Sequence, residues 1–126
     1  MRFGILRAVA ALLLVGSVAC ATTNKHVTKG FEAYSKQDYM TAEKEFLEAM
    51  KDDDKDPYAQ LNLGALYQAT GRPQLAVPLY TKVLETGKNI RPNRKVNSTT
   101  KESSPTLAQI AQANLDAMVA GAKKVK

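Results

Sequence analysis

PYAQLNLGALYQATGRPQLAVPLYTKVLE, residues 57–85, decides the fold. Ala69-Thr70-Gly71-Arg72-Pro73 sets a helix-stopping glycine before a proline suited to the first turn of a new helix, so the stretch reads as helix, turn, helix. Tyr80, Val83 and Leu84 repeat at i, i+3, i+4, the mark of one buried helical face. Pro78 lies inside the second helix, removes one of its hydrogen bonds and predicts a slight kink.

The same design occurs upstream. Sliding the chain by 34 residues lays Val27 on Leu61, Gly30 on Gly64, Ala42 on Ala76, Phe46 on Tyr80 and Met50 on Leu84. The upstream unit is TNKHVTKGFEAYSKQDYMTAEKEFLEAMK, residues 23–51, with Lys36-Gln37-Asp38 as its turn and Asp38 as a helix cap. Phe46, Ala49 and Met50 keep the i, i+3, i+4 rule. Each unit has one small residue per helix, Gly30 with Ala42 and Gly64 with Ala76, where two helices approach closely, and Phe46 or Tyr80 fills the space beside them.

A period of 34 is that of the tetratricopeptide repeat, and the second unit resembles that family at Leu63-Gly64, Tyr67, Gly71, Ala76, Tyr80 and Leu84. The first keeps Gly30, Tyr39, Ala42, Phe46 and Ala49, with Lys29 where the family has an apolar residue. The resemblance implies an all-α fold: two helix-turn-helix units over residues 27–88 in a right-handed superhelical array. It also implies a concave groove lined by the first helix of each unit. Helical spacing assigns Asn24, Thr28, Phe31 and Tyr34 to that groove from the first unit, and Tyr58, Asn62, Ala65 and Gln68 from the second. Val27, Ser35, Leu61 and Ala69 fall on the same faces, though Val27 and Leu61 equally suit packing between helices. Members that clamp a C-terminal carboxylate use lysine and asparagine where this chain has Val27 and Phe31, which argues against a chaperone-tail receptor. An apolar, aromatic face with amide groups suits a hydrophobic peptide or helix.

Residues 89–104 are polar, basic and aperiodic, and read as a flexible linker. Ser104-Pro105 then opens a helix over 105–121, with Leu107, Ile110, Ala111, Leu115, Met118 and Val119 on one stripe and Gly121 as its stop. Two repeats leave an apolar edge uncovered. The expected role of this helix is to cap it; the alternative is a segment that detaches toward a partner or membrane. Residues 122–126 form a basic tail.

The beginning of the chain bears on location. Arg2 and Arg7 precede an apolar run from Ala8 to Ala19, shorter than the roughly 20 residues that span a bilayer, so residues 1–19 read as a signal peptide. GSVAC, residues 16–20, resembles a bacterial lipobox, with Ser17 where leucine is commonest, and implies a lipid on Cys20 with residues 20–26 as tether. Ala19-Cys20-Ala21 is also an acceptable site for ordinary cleavage, which would leave a soluble periplasmic protein. Cys20 is the chain's one cysteine, so the mature chain has no internal disulfide. Ala21, standing where an aspartate would retain a lipoprotein in the inner membrane, favours the periplasmic face of the outer membrane by the same resemblance.

The formal charge of +6 is unevenly spread. Phe31 to Asp56 holds nine acidic and four basic residues, Arg72 to Lys101 one acidic and seven basic. In an exported protein such a basic stretch suits acidic protein or lipid, not nucleic acid. No nucleophile–base pair or His/Cys metal set can be assembled from one histidine, His26, and one cysteine, so neither an enzyme nor a cofactor is expected. Asp52, Asp54 and Asp56 alternate as in a calcium loop, but Pro57 stands where that loop continues, and a solvated connection is expected. Asn97-Ser98-Thr99, formally a glycosylation acceptor, reads as linker composition. The expected function is a membrane-anchored adaptor of the cell envelope that binds a partner's peptide or helix, as repeat lipoproteins of pilus and secretion systems do by resemblance. The alternative is a self-associating structural protein of the envelope.

Overall fold

Short side-chain caps start the helices. Asn24 accepts the His26 N–H at 2.8 Å and opens α1, Lys25–Ser35. The turn that follows places Gln37 at φ 62, and Asp38 accepts the Thr41 N–H at 3.1 Å to open α2, Tyr39–Asp52. Asp56 caps α3, Pro57–Ala69, by accepting from both Tyr58 and Ala59. Gly71 at φ 76 makes the next turn, where a Cβ would be strained, and Pro73 enters the first turn of α4, Pro73–Thr86. Helix α4 continues through Pro78, whose exposed position leaves the orphaned carbonyl within reach of water.

The computed structural model describes residues 24–92 and 104–124. The expected signal peptide over residues 1–19, Cys20, the middle of the expected linker and the last two residues lie outside the described residues, which are all-helical with no strand among them.

The fifth helix, α5, spans Leu107–Lys123 and departs from expectation at both ends. Thr106, not Ser104, is its cap: its hydroxyl accepts from the Gln109 N–H at 3.2 Å while Gln109 accepts from the Thr106 N–H at 2.8 Å. This reciprocal pair satisfies two orphan donors, which Ser104 ahead of Pro105 does not do. Gly121 lies within the helix and does not end it. The linker is also tied down at both described ends. Leu107 donates its N–H to the Ile90 carbonyl at 2.8 Å, Ala108 to that of Gly87 at 3.2 Å, and the Arg91 guanidinium to that of Ser104. Ile90 packs against the core, and α5 is thereby docked on α4 of its own chain.

Each helix packs on the next, and α3 also contacts α1 and α5, so that it touches all four others. Its residues Ala59 to Leu66 are buried without a break. One core cluster joins α3, α4 and α5 through Leu61, Ala76, Tyr80, Val83, Leu107, Ile110 and Ala111. A second joins Ala33, Ala42, Phe46, Leu63 and Leu66. A Cβ on Gly30 would lie 2.5 Å from the Phe46 ring, and one on Gly64 would lie 2.7 Å from the Tyr80 ring. Glycine is thus required in both units by the same contact, an aromatic ring from the following helix laid against bare backbone. Across the units, Arg72 donates twice to Glu43, at 3.0 and 2.7 Å, with its guanidinium 4.6 Å from the centre of the Tyr67 ring.

Candidate functional site

The face assigned to partner binding begins at the cap of α1. Asn24 holds the N-terminus of α1 with its oxygen and donates its amide to Asp52 at 3.1 Å, binding the start of α1 to the end of α2. Its accessible surface is therefore secondary to a structural task. Thr28, Phe31 and Tyr34 follow along α1, all half-buried. Tyr34 stacks at a tilt against Tyr39, with ring centres 5.3 Å apart, and burial together with Tyr39 raises its pKa, so its hydroxyl stays protonated.

On α3 the assigned residues divide. Tyr58 is half-buried and packs against two core clusters. Gln68 is half-buried and accepts the Tyr80 hydroxyl at 2.8 Å. Asn62 and Ala65 are wholly buried, each with 0% exposure, because α3 is enclosed by four neighbours. Neither offers surface to a partner in this conformation. The accessible part of the assigned face is thus Thr28, Phe31 and Tyr34 from α1 with Tyr58 and Gln68 from α3, and α1 and α3 are in contact.

A polar cluster beside this face was not apparent in the sequence. Tyr80 is fully buried, and desolvation holds its pKa far above the ordinary phenol value, so it is a permanent donor to Gln68. Tyr34 lies near enough to Tyr80 to push that pKa in the same direction. Asn114 of α5, only 1% exposed, approaches the Tyr80 hydroxyl without reaching a well-formed hydrogen bond. An asparagine within the Leu107-Ile110-Ala111 row is the signal that marks it. Gln60 is likewise buried and fully engaged, donating to the Asp54 carbonyl at 2.7 Å and accepting from Thr86 at 2.7 Å.

In the first turn of α1, His26 Nδ1 lies 2.7 Å from Glu45, and its Nε2 lies 4.0 Å from Asp52. Among the described residues no three His, Cys, Asp or Glu side chains are grouped so as to hold a metal ion, and no described helix is long and apolar enough to cross a membrane. The accessible arrangement offers aromatic edges, a threonine hydroxyl and one carboxamide, which can hold apolar side chains and meet a backbone amide. No known protein family, curated protein or solved structure matches the chain.

Proposed function

We propose that this protein is a membrane-anchored adaptor of the bacterial cell envelope, built on two tetratricopeptide-like units and holding an apolar peptide or helix of another envelope protein. The observation that carries the reading is the half-buried row of Thr28, Phe31 and Tyr34 beside Tyr58 and Gln68 on contacting helices. Partly open aromatic side chains held on rigid helices offer large contact area at small entropic cost. Support for the repeat reading comes from the glycine–aromatic contact, which recurs one 34-residue period apart in Gly30 with Phe46 and Gly64 with Tyr80. Lipid on Cys20 and outer-membrane residence belong to the same proposal and rest on GSVAC and Ala21. The adaptor needs no cofactor, performs no catalysis and serves the assembly or placement of its partner, in the manner of pilus and secretion lipoproteins.

Phe31→Glu tests the adaptor reading. Photocrosslinking from position 28 in intact cells should yield a discrete adduct with the wild-type protein, and Phe31→Glu should abolish it while leaving helix content unchanged. An adduct that survives the charge in a folded variant overturns the assignment of this face.

A further inference from the structure

The face of α2 turned away from the core carries a pattern that the repeat does not require. Met40, Lys44, Leu47 and Lys51 fall at i, i+4, i+7 and i+11, along one crest opposite the buried Ala42, Phe46 and Ala49. Met40 is 84% exposed and Leu47 41%. One period on, the same places on α4 hold Gln74, Pro78, Thr81 and Glu85, so packing of a unit asks for no Met or Leu there. A shallow surface hollow follows this crest from Met40 past Leu47 to Lys51.

We propose that this crest is a second membrane contact, lying against a zwitterionic phospholipid surface while the lipid on Cys20 holds the chain to the same leaflet. The proposal rests on the lipoprotein reading given above. Its geometry comes from the tether. Cys20 stands four residues before Asn24, a reach of about 14 Å when extended, and the Asn24 amide is bonded to Asp52 at the end of α2. The Lys51 end of the crest therefore lies at the same end of the molecule as Asn24, within reach of a lipid on Cys20, and α2 lying flat would bring Met40, about 17 Å farther along, to the same surface.

The charges fit a lipid surface of that kind. Glu43 is held by Arg72, and Glu48 by Lys51 at 2.7 Å, so the carboxylates flanking the crest are engaged within the protein. Lys44 is exposed and long enough to reach phosphates while Met40 and Leu47 enter the interfacial region, and Lys51 keeps Glu48 neutralised at the end of the crest. Asp52, Asp53 and Asp54 at the tether end would be repelled by an anionic surface, which selects zwitterionic headgroups. Anchoring on Cys20 supplies a high local concentration, so a contact too weak to hold a free domain suffices here.

The test uses the full chain, matured in cells and reconstituted into phosphatidylethanolamine–phosphatidylcholine vesicles, with a spin label introduced through Met40→Cys, Leu47→Cys or, as control, Thr81→Cys. Acylated Cys20 has no free thiol, so the label reports the introduced site. In vesicles, positions 40 and 47 should be several-fold less accessible than 81 to a water-soluble relaxant and several-fold more accessible to oxygen. Accessibility equal to that of position 81 in a chain shown by mass to be acylated overturns the proposal. So does protection accompanied by spin–spin broadening between copies, which would assign the crest to a second molecule. Uptake of label by Cys20 in the otherwise unaltered chain, or an N-terminus without acyl groups, instead rejects the lipoprotein reading itself.

Discussion

Gly30→Ala places two opposing effects on one residue. In a helix interior alanine is better than glycine by about 1 kcal/mol, and with open space the change would stabilise the protein. Here the new Cβ would lie 2.5 Å from one carbon of the Phe46 ring and 2.6 Å from another, well inside the 3.5–4.0 Å at which carbon atoms attract. The ring must retreat by about 1 Å, yet Phe46 is 0% exposed and packed among Ala33, Ala42, Leu63 and Leu66. Overpacking of this kind costs typically 1–3 kcal/mol, and the absence of free space puts this site near the upper end. Subtracting the propensity gain leaves a net loss of about 2 kcal/mol, or roughly 8–16 °C in Tm for a domain of this size. Gly121→Ala is the internal control: nothing beyond its own turn of helix would lie within 4 Å of its Cβ, so in this last turn of α5 it should gain up to about 1 kcal/mol. Thermal unfolding followed by circular dichroism reads both. Combining Gly30→Ala with Phe46→Leu should recover part of the loss, with a coupling of about 0.5–3 kcal/mol. If Gly30→Ala raises Tm as Gly121→Ala does, or if the pair is additive, the close contact of backbone and ring is wrong.

Truncation after Ser103 should leave a poorly folded, aggregating protein, because Leu107, Ile110 and Ala111 would no longer cover Tyr80 and Val83; retention of a cooperative urea transition would show that α5 is dispensable. Glu43→Gln should cost under about 1 kcal/mol at neutral pH, since Glu43 and Arg72 are 27% and 35% exposed and solvent screens the pair. The bond from Arg72 holds the Glu43 carboxyl below its ordinary 4.5, so its stabilising effect is complete above that value and is lost as pH falls through the lower, folded-state value. Urea titrations of wild type and variant should therefore diverge at neutral pH and converge in acid below the ordinary glutamate range; a gap that persists there would assign the effect to packing.

What the sequence revealed and what it hid divide along a physical line. Helix starts are local: Asp38 and the Gly71-Arg72-Pro73 turn act on neighbours within four residues, and both were legible. Small residues opposite large ones were legible too, since the period aligned Gly30 with Gly64 and Phe46 with Tyr80. Burial was not, because it depends on how many elements surround a helix. Asn62 was assigned to an open groove, yet α3 touches four helices and buries it, and Gln60, buried beside it, finds its partners in Asp54 and Thr86, six and 26 residues away. Helical spacing placed Asn62 and Ala65 on one face of α3 with Tyr58 and Gln68, but could not show that both are covered. The Glu43–Arg72 pair spans 29 residues with no periodic trace. Val119 shows the converse, for it continues the α5 stripe and is nevertheless 56% exposed, because the last turns of α5 run past the helices that bury its start.

The two units are unequal in a way that bears on where contacts with other molecules belong. Helix α3 has four neighbours, and α4 lies between α3 and α5 with Leu75 and Val77 exposed on its remaining side, so the second unit is enclosed at α3 and open along one side of α4. In the first unit α1 packs on α2 and α3, and α2 on α1 and α3, leaving one side of each open. The open sides differ in chemistry. That of α1 presents Thr28, Phe31 and Tyr34, and that of α2 presents Met40 and Leu47 between lysines. A segment with fewer buried contacts opens at lower free energy than the core that supports it, and such segments are where binding surfaces can adjust to a partner. The Arg72 bond to Glu43 and the seating of Leu63 and Leu66 beside Phe46 hold this more exposed unit to the rigid one. Loosening that junction should therefore weaken partner capture before it lowers global stability. Arg72→Ala is the direct probe: adduct formation from position 28 should fall while the urea midpoint moves little, and a midpoint that falls in step with capture would place the two units in one cooperative block.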